Sequence, residues 1–148
     1  LIQVDNFLTC EEAKQLLEKH TYTITQESYT LGQESPCTIP PSIHNKLQYV
    51  LGIPFSVQSS WYSISPVGGT IVPHNHIDAD LLDKLSVVIY LRGSGKEHLC
   101  FPDTGDSHPT TPLSMVAFPA SYYHSVHLTQ DIDRVCIAVD LLPRKNLS

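Results

Sequence analysis

No Cys-x-x-Cys pair occurs among Cys10, Cys37, Cys100 and Cys136. Thioredoxin-like redox chemistry and thiolate zinc knuckles therefore lack their basic motif, and reduced structural thiols are the expectation. Basic residues are scarce and scattered: the longest cluster is Arg144-Lys145, and the formal net charge is -6. A nucleic-acid backbone is thus not an expected partner, because neutralising phosphates takes grouped cations. No apolar run reaches the roughly 18 residues that a bilayer span requires, so no membrane partner is expected. Internal repeats, low-complexity tracts and domain linkers are missing as well. The chain starts at Leu1 rather than Met, which fits a trimmed N-terminus; no targeting segment is visible, and a cytoplasmic location is the expectation.

What is present suits one domain: 148 residues, 16.5 kDa and 41% hydrophobic content can build a single core. Thr9 followed three residues later by Glu12 forms a capping box, which predicts a helix starting there, with Ala13, Leu16 and Leu17 on its inner face. A second helix is expected from Pro41 to Leu51, since proline suits a first turn and Gly52 followed by Pro54 ends it. Residues 21–39 read as irregular or weakly stranded. From Phe55 onward seven short β-rich runs follow: Phe55 to Ser65, Ile71 to Asp78, Leu85 to Arg92, His98 to Phe101, Ser114 to Phe118, Tyr122 to Leu128 and Arg134 to Leu141. This order predicts an antiparallel double-sheet jelly roll (a double-stranded β-helix, cupin-like) over 55–143, supported by N-terminal helices over 1–52.

The chemistry concentrates in His76-Ile77-Asp78, with His124 downstream and Arg134 ten residues beyond it. On a strand, residues i and i+2 share a face, so His76 and Asp78 would look into a common interior. Two imidazoles and one carboxylate can occupy one face of an octahedral Fe(II) and leave the opposite positions open for a cosubstrate and O2. Arg134 offers two parallel hydrogen bonds to a carboxylate, a geometry that lysine cannot reproduce.

Several segments taken in order resemble the Fe(II)- and 2-oxoglutarate-dependent dioxygenases, above all their prolyl 4-hydroxylase-like branch. Val4-Asp5-Asn6-Phe7-Leu8-Thr9-Cys10-Glu11-Glu12 is similar to the segment that opens that branch. Pro73-His74-Asn75-His76-Ile77-Asp78 resembles its HxD strand, and Val87-Val88-Ile89-Tyr90-Leu91 the apolar strand ending in Tyr-Leu. Glu97-His98-Leu99-Cys100-Phe101-Pro102 stands where the branch has a segment ending in Phe-Pro. Val116-Ala117-Phe118-Pro119 leads to the second histidine, and Arg134 stands at the usual spacing for the cosubstrate carboxylate.

The resemblance implies that His76, Asp78 and His124 hold Fe(II), and that Arg134 binds 2-oxoglutarate with Tyr90 and Tyr62 assisting. Decarboxylation of 2-oxoglutarate by O2, with ascorbate as a supporting reductant, would then be coupled to hydroxylation of an amino-acid side chain. A peptidyl proline is the first substrate it implies, and a free amino acid or small molecule the next. Many relatives carry Ser or Thr two residues beyond the arginine, where this chain has Cys136.

Other readings of the same residues remain open. His74 lies in phase with His76 and Asp78, so His74, His76 and His124 could form a cupin-like site that dispenses with 2-oxoglutarate. Arg134 could pair with Asp131 or Asp133 at a strand end. Trp61, Tyr62, Tyr122 and Tyr123 suit a substrate groove or a core rim equally. Asp80, Asp83 and Lys84 read as a solvated loop, His127 as a residue of the opposite face, and Cys100 and Cys136 as buried and inert. A short chain also suits a jelly-roll module that binds metal without catalysis. Oligomeric state has no signature in the sequence.

Overall fold

Thr9 sets the first helix. Its Oγ1 accepts a hydrogen bond from the Glu12 backbone N–H at 3.1 Å, while Glu12 Oε1 accepts from the Thr9 N–H at 2.9 Å. Two donors that a helix start leaves unsatisfied are thereby paired. The computed structural model describes residues 1–19, 33–65, 70–74, 83–127 and 134–144. Within them, α1 runs Cys10–Glu18 and α2 runs Pro41–Leu51, the latter closed by Gly52 at φ 68°. That left-handed conformation is one that glycine adopts without the steric cost of a Cβ. Lys46 of α2 bonds both Glu12 and, at 3.1 Å, the Phe7 carbonyl, tying the two helices together.

Among the described residues ten strands follow in chain order as β1 (Ile2–Val4), β2 (Gln33–Pro36), β3 (Phe55–Ser65), β4 (Thr70–His74), β5 (Leu85–Arg92), β6 (His98–Phe101), β7 (Asp106–Pro109), β8 (Met115–Pro119), β9 (His124–His127) and β10 (Arg134–Pro143). They form two antiparallel sheets, one of six strands in the order β1-β8-β5-β10-β3-β2 and one of four in the order β4-β9-β6-β7. The result is a jelly roll. Strands β1, β2 and β7 lie outside the seven expected runs and are only three or four residues long; β2 falls in the stretch read as irregular or weakly stranded. The expected run to Asp78 is described as far as His74, and its remainder lies outside the described residues.

Strand β10 shows how one sequence serves two cores. Val135, Ile137, Val139 and Leu141 join Ala13, Leu16, Ile43 and Leu47 of the helices in one buried cluster. Cys136 instead joins Tyr90, Val116 and Phe118 of the large sheet and Leu99, Phe101 and Val126 of the small one. The large sheet therefore has a helix-facing side and a sheet-facing side, as strand alternation requires. The helices brace the first so that the second can enclose an interior.

Thr9→Ala removes one capping bond, and urea unfolding should show a loss of about 1 kcal/mol; Thr9→Ser should retain most of it.

Candidate active site

Cross-strand register divides the sheet-facing side of the large sheet into rows. Tyr90, Cys136 and Ser63 lie abreast on β5, β10 and β3. One step along, Val116, Val88, Ala138 and Trp61 form a second row on β8, β5, β10 and β3. The third is Phe118, Ser86, Asp140 and Ser59. Successive rows are separated by two residues, or about 6.7 Å. Val88, Trp61 and Ala138 of the middle row are only half-buried, although both sheets contribute to the core on this side. Between Tyr90 and Cys136 on one side and Phe118, Ser86 and Asp140 on the other, all buried, this middle row is the least buried stretch of the interior face, the chamber of the roll.

Arg134 stands at one end of this chamber. It is 5% exposed, and its guanidinium carbon lies 5.2 Å from the centroid of the Tyr90 ring, a cation–π contact. The Tyr90 hydroxyl is sealed from solvent and has no hydrogen bond of good geometry among the described residues. Burial pushes its phenol well above the usual value, opposed by the positive charge of Arg134. Cys136 lies in the same row, its thiol raised by burial and opposed by Arg134 and by a hydrogen bond with Ser63. Ser63 thus brings a hydroxyl to the position beside Cys136. Sequence reasoning passed over it, although Trp61, Ser63 and Ser65 are in phase with one another and out of phase with Ile64.

His124 stands at the other end. Its ring packs edge-on against Phe118, centroids 4.8 Å apart, which sets it level with the third row. Its Nδ1 lies 3.0 Å from the Tyr122 carbonyl. A carbonyl can only accept, so Nδ1 carries the proton and Nε2 keeps the lone pair that a metal requires. Strand β4 pairs with β9 so that His74 stands opposite His124. His76 and Asp78 lie outside the described residues.

Tyr62 is not part of this constellation, contrary to the expectation. It is in register with Ile137 and belongs to the helix-facing cluster, and its hydroxyl donates to the Leu16 carbonyl at 2.8 Å. Its role is to fasten α1 to β3. Its apolar neighbour in phase, Ile64, was the signal for that side. Lys84 also departs from the reading of a solvated loop: it is buried, with Nζ 3.4 Å from Asp140 Oδ2. Cys100 is half-buried rather than buried, and all four cysteines are free thiols. Tyr122 and Tyr123 are exposed and, with Phe101, Asp103, Thr104 and Ser121, line a small surface cavity beside His124.

The architecture is that of 2-oxoglutarate and Fe(II) oxygenase structures. A Pseudomonas putida prolyl-4-hydroxylase superposes with a TM-score of 0.67 at 16% identity, covering 97% of this chain and 92% of that one. A viral collagen prolyl hydroxylase from Paramecium Bursaria Chlorella virus-1, solved with 2-oxoglutarate, gives 0.66 at 10% identity over 95% and 94%. HygX from Streptomyces hygroscopicus, with nickel, 2-oxoglutarate and hygromycin B bound, gives 0.69 at 9% over 96% and 82%. At these identities the likeness is one of fold. The sequence matches no protein-family model and no curated protein.

Ionising Tyr90 in the fold is opposed, whereas in the unfolded chain its phenol titrates near pH 10. A folded pKa raised above the unfolded one contributes stability below about pH 10 that is lost as pH climbs beyond it. Chemical denaturation at about pH 9 and 11 should show that loss, and Tyr90→Phe should flatten it. Tyr62, raised by burial in the same direction, supplies the part that persists in Tyr90→Phe.

Proposed function

We propose that this chain is an Fe(II)- and 2-oxoglutarate-dependent dioxygenase that hydroxylates an amino-acid side chain. One observation supports it most: a buried guanidinium stacked on a tyrosine whose buried hydroxyl lacks a hydrogen bond, at the end of an interior chamber. A carboxylate is the complement of that pair. It would accept two parallel bonds from Arg134 and a third from Tyr90, whose buried hydroxyl would then be satisfied.

In this reading His124 Nε2, with His76 and Asp78, holds Fe(II), and Arg134 with Tyr90 holds the far carboxylate of 2-oxoglutarate. Together with O2 they supply the chemistry that replaces a substrate C–H by C–OH, 2-oxoglutarate leaving as succinate and CO2. The protein's contribution is orientation. The Tyr122 carbonyl fixes the tautomer of His124, Phe118 fixes the plane of its ring, and the two sheets keep bulk water from the chamber. The narrower assignment, a peptidyl proline first, rests on the motif resemblance and on the prolyl hydroxylases among the fold neighbours.

Anaerobic titration with Fe(II) and 2-oxoglutarate should give a weak visible charge-transfer band that needs both components. Arg134→Ala should abolish the band, and a band unchanged in that variant would refute the assignment of the anchor. Tyr90→Phe should weaken 2-oxoglutarate binding by about 1.5–3 kcal/mol, roughly 10- to 150-fold in Kd. The same variant should leave the cosubstrate-free protein as stable as before or more so, since it deletes a buried hydroxyl without a bond. His76→Ala and Asp78→Ala should each abolish succinate formation.

A further inference from the structure

Tyr122 and Tyr123 immediately precede His124 in the chain, and both are exposed. With buried Phe101 and the exposed Asp103, Thr104 and Ser121 they line a cavity of about 150 Å³. Turns fix its walls. The Phe101 carbonyl accepts from the Thr104 N–H at 3.2 Å and the Gly105 N–H at 2.9 Å, and the Pro119 carbonyl accepts from the Tyr122 N–H at 3.0 Å. The cavity is therefore pre-formed, and filling it costs little ordering of the protein. Edge-to-face rings connect it to the metal ligand: Tyr122 packs on Phe101 with centroids 5.9 Å apart, Phe101 on Phe118 at 5.1 Å, and Phe118 on His124 at 4.8 Å.

Size and lining together select an occupant. Pockets for whole small molecules usually measure about 300–1,000 Å³, so this one suits the end of a single side chain that belongs to a larger ligand. Aromatic faces attract a cation, and Asp103 supplies the opposite charge. None of the lining residues is basic, and Asp103 has no ion pair among the described residues that already neutralises it. Lys84, whose carbonyl accepts from the Ala120 N–H just before the tyrosines, directs its ammonium to Asp140 instead. A guanidinium matches this lining best, because it stacks flat on an aromatic ring and offers paired donors to a carboxylate.

Resting on the function proposed above, we infer that the cavity is a substrate subsite for an arginine side chain, or less favourably a lysine, in the peptide that presents a nearby residue to the iron. Consecutive Cα atoms are about 3.8 Å apart, so the wall formed by Tyr123 adjoins the ligand His124. An extended peptide advances about 3.4 Å per residue. One residue can thus lie at the iron while another, a few positions along, fills the cavity.

The test uses the full chain loaded with Zn(II), a redox-inactive ion that the same donors accept, and 2-oxoglutarate. N-acetyl-L-arginine amide is titrated in while the tyrosine ring signals, assigned through Tyr122→Phe and Tyr123→Phe, are followed by NMR. The probe should shift the rings of Tyr122 and Tyr123. N-acetyl-L-citrulline amide, which keeps the shape without the charge, should bind about threefold or more weakly. Asp103→Asn should weaken arginine binding by a similar factor and leave citrulline binding as it was; its charge-transfer band with Fe(II) and 2-oxoglutarate reports that the variant is folded. Peptides hydroxylated by the Fe(II) protein from a random-sequence library should carry arginine at a fixed offset from the added oxygen, and Asp103→Asn should reduce that enrichment. Ring signals that do not shift, citrulline binding as well as arginine, arginine binding undiminished in Asp103→Asn, or hydroxylated peptides without enriched arginine would each overturn the inference. Normal 2-oxoglutarate binding with no peptide hydroxylated would overturn the peptide substrate and the inference with it. Failure of 2-oxoglutarate itself to bind would instead overturn the function on which both rest.

Discussion

A guanidinium buried between two sheets is the constraint around which the interior is arranged. Arg134 packs against the face of Tyr90, a cation–π contact of about 1–2 kcal/mol, and keeping a cation in an interior is costly in desolvation. Apolar packing alone could fill this space more cheaply. That the chain keeps a cation and a phenol here, with a half-buried row beside them, makes the chamber part of the design of the roll rather than a defect in it.

Holding such a site open takes rigidity from elsewhere, and the helix-facing side of the large sheet provides it. Strands β3, β5 and β10 send Tyr62, Ile64, Val87, Ile89, Val135 and Ile137 into one buried cluster with both helices. Tyr62 fastens α1 by a hydrogen bond, and Lys46 joins α2 to the cap of α1. The apolar energy that stabilises the domain is therefore spent on the face away from the chemistry. Polar residues such as Asp140, Ser86 and Arg134 can then occupy the other face without unfolding the chain.

The parts legible in the sequence were those governed by short-range rules. Thr9 with Glu12 announced a cap, Gly52 a stop, and the alternation in Leu85 to Arg92 a central strand. His124 and Arg134 stood out by type and spacing. What escaped depends on register. The pairing of β3 with β10 shifts beyond Asp140, where Leu141 faces Val57 after Ser59 faces Asp140. Such a slip changes which alternate residues at the start of β3 look inward; Tyr62 lies in the regular part, where its phase with Ile64 puts it on the helix-facing side. Lys84 and Asp140 are 56 residues apart in the chain and meet only because β5 and β10 are neighbours. Even so, a lone Asp140 within Val135-Cys136-Ile137-Ala138-Val139 and Leu141-Leu142 was a visible anomaly.

Among the described residues, the four strands at the sheet edges share a trait. Strand β1 is three residues long, β2 ends in Pro36, β4 contains Pro73 at a shift in its register with β9, and β7 ends in Pro109. A proline has no N–H to offer, and so short a strand presents few groups to an incoming chain. Each ladder is thereby terminated at both sides. A roll that must keep a hollow, charged interior is closed against edge-to-edge growth, and so against the aggregation to which a β-rich chain is otherwise prone.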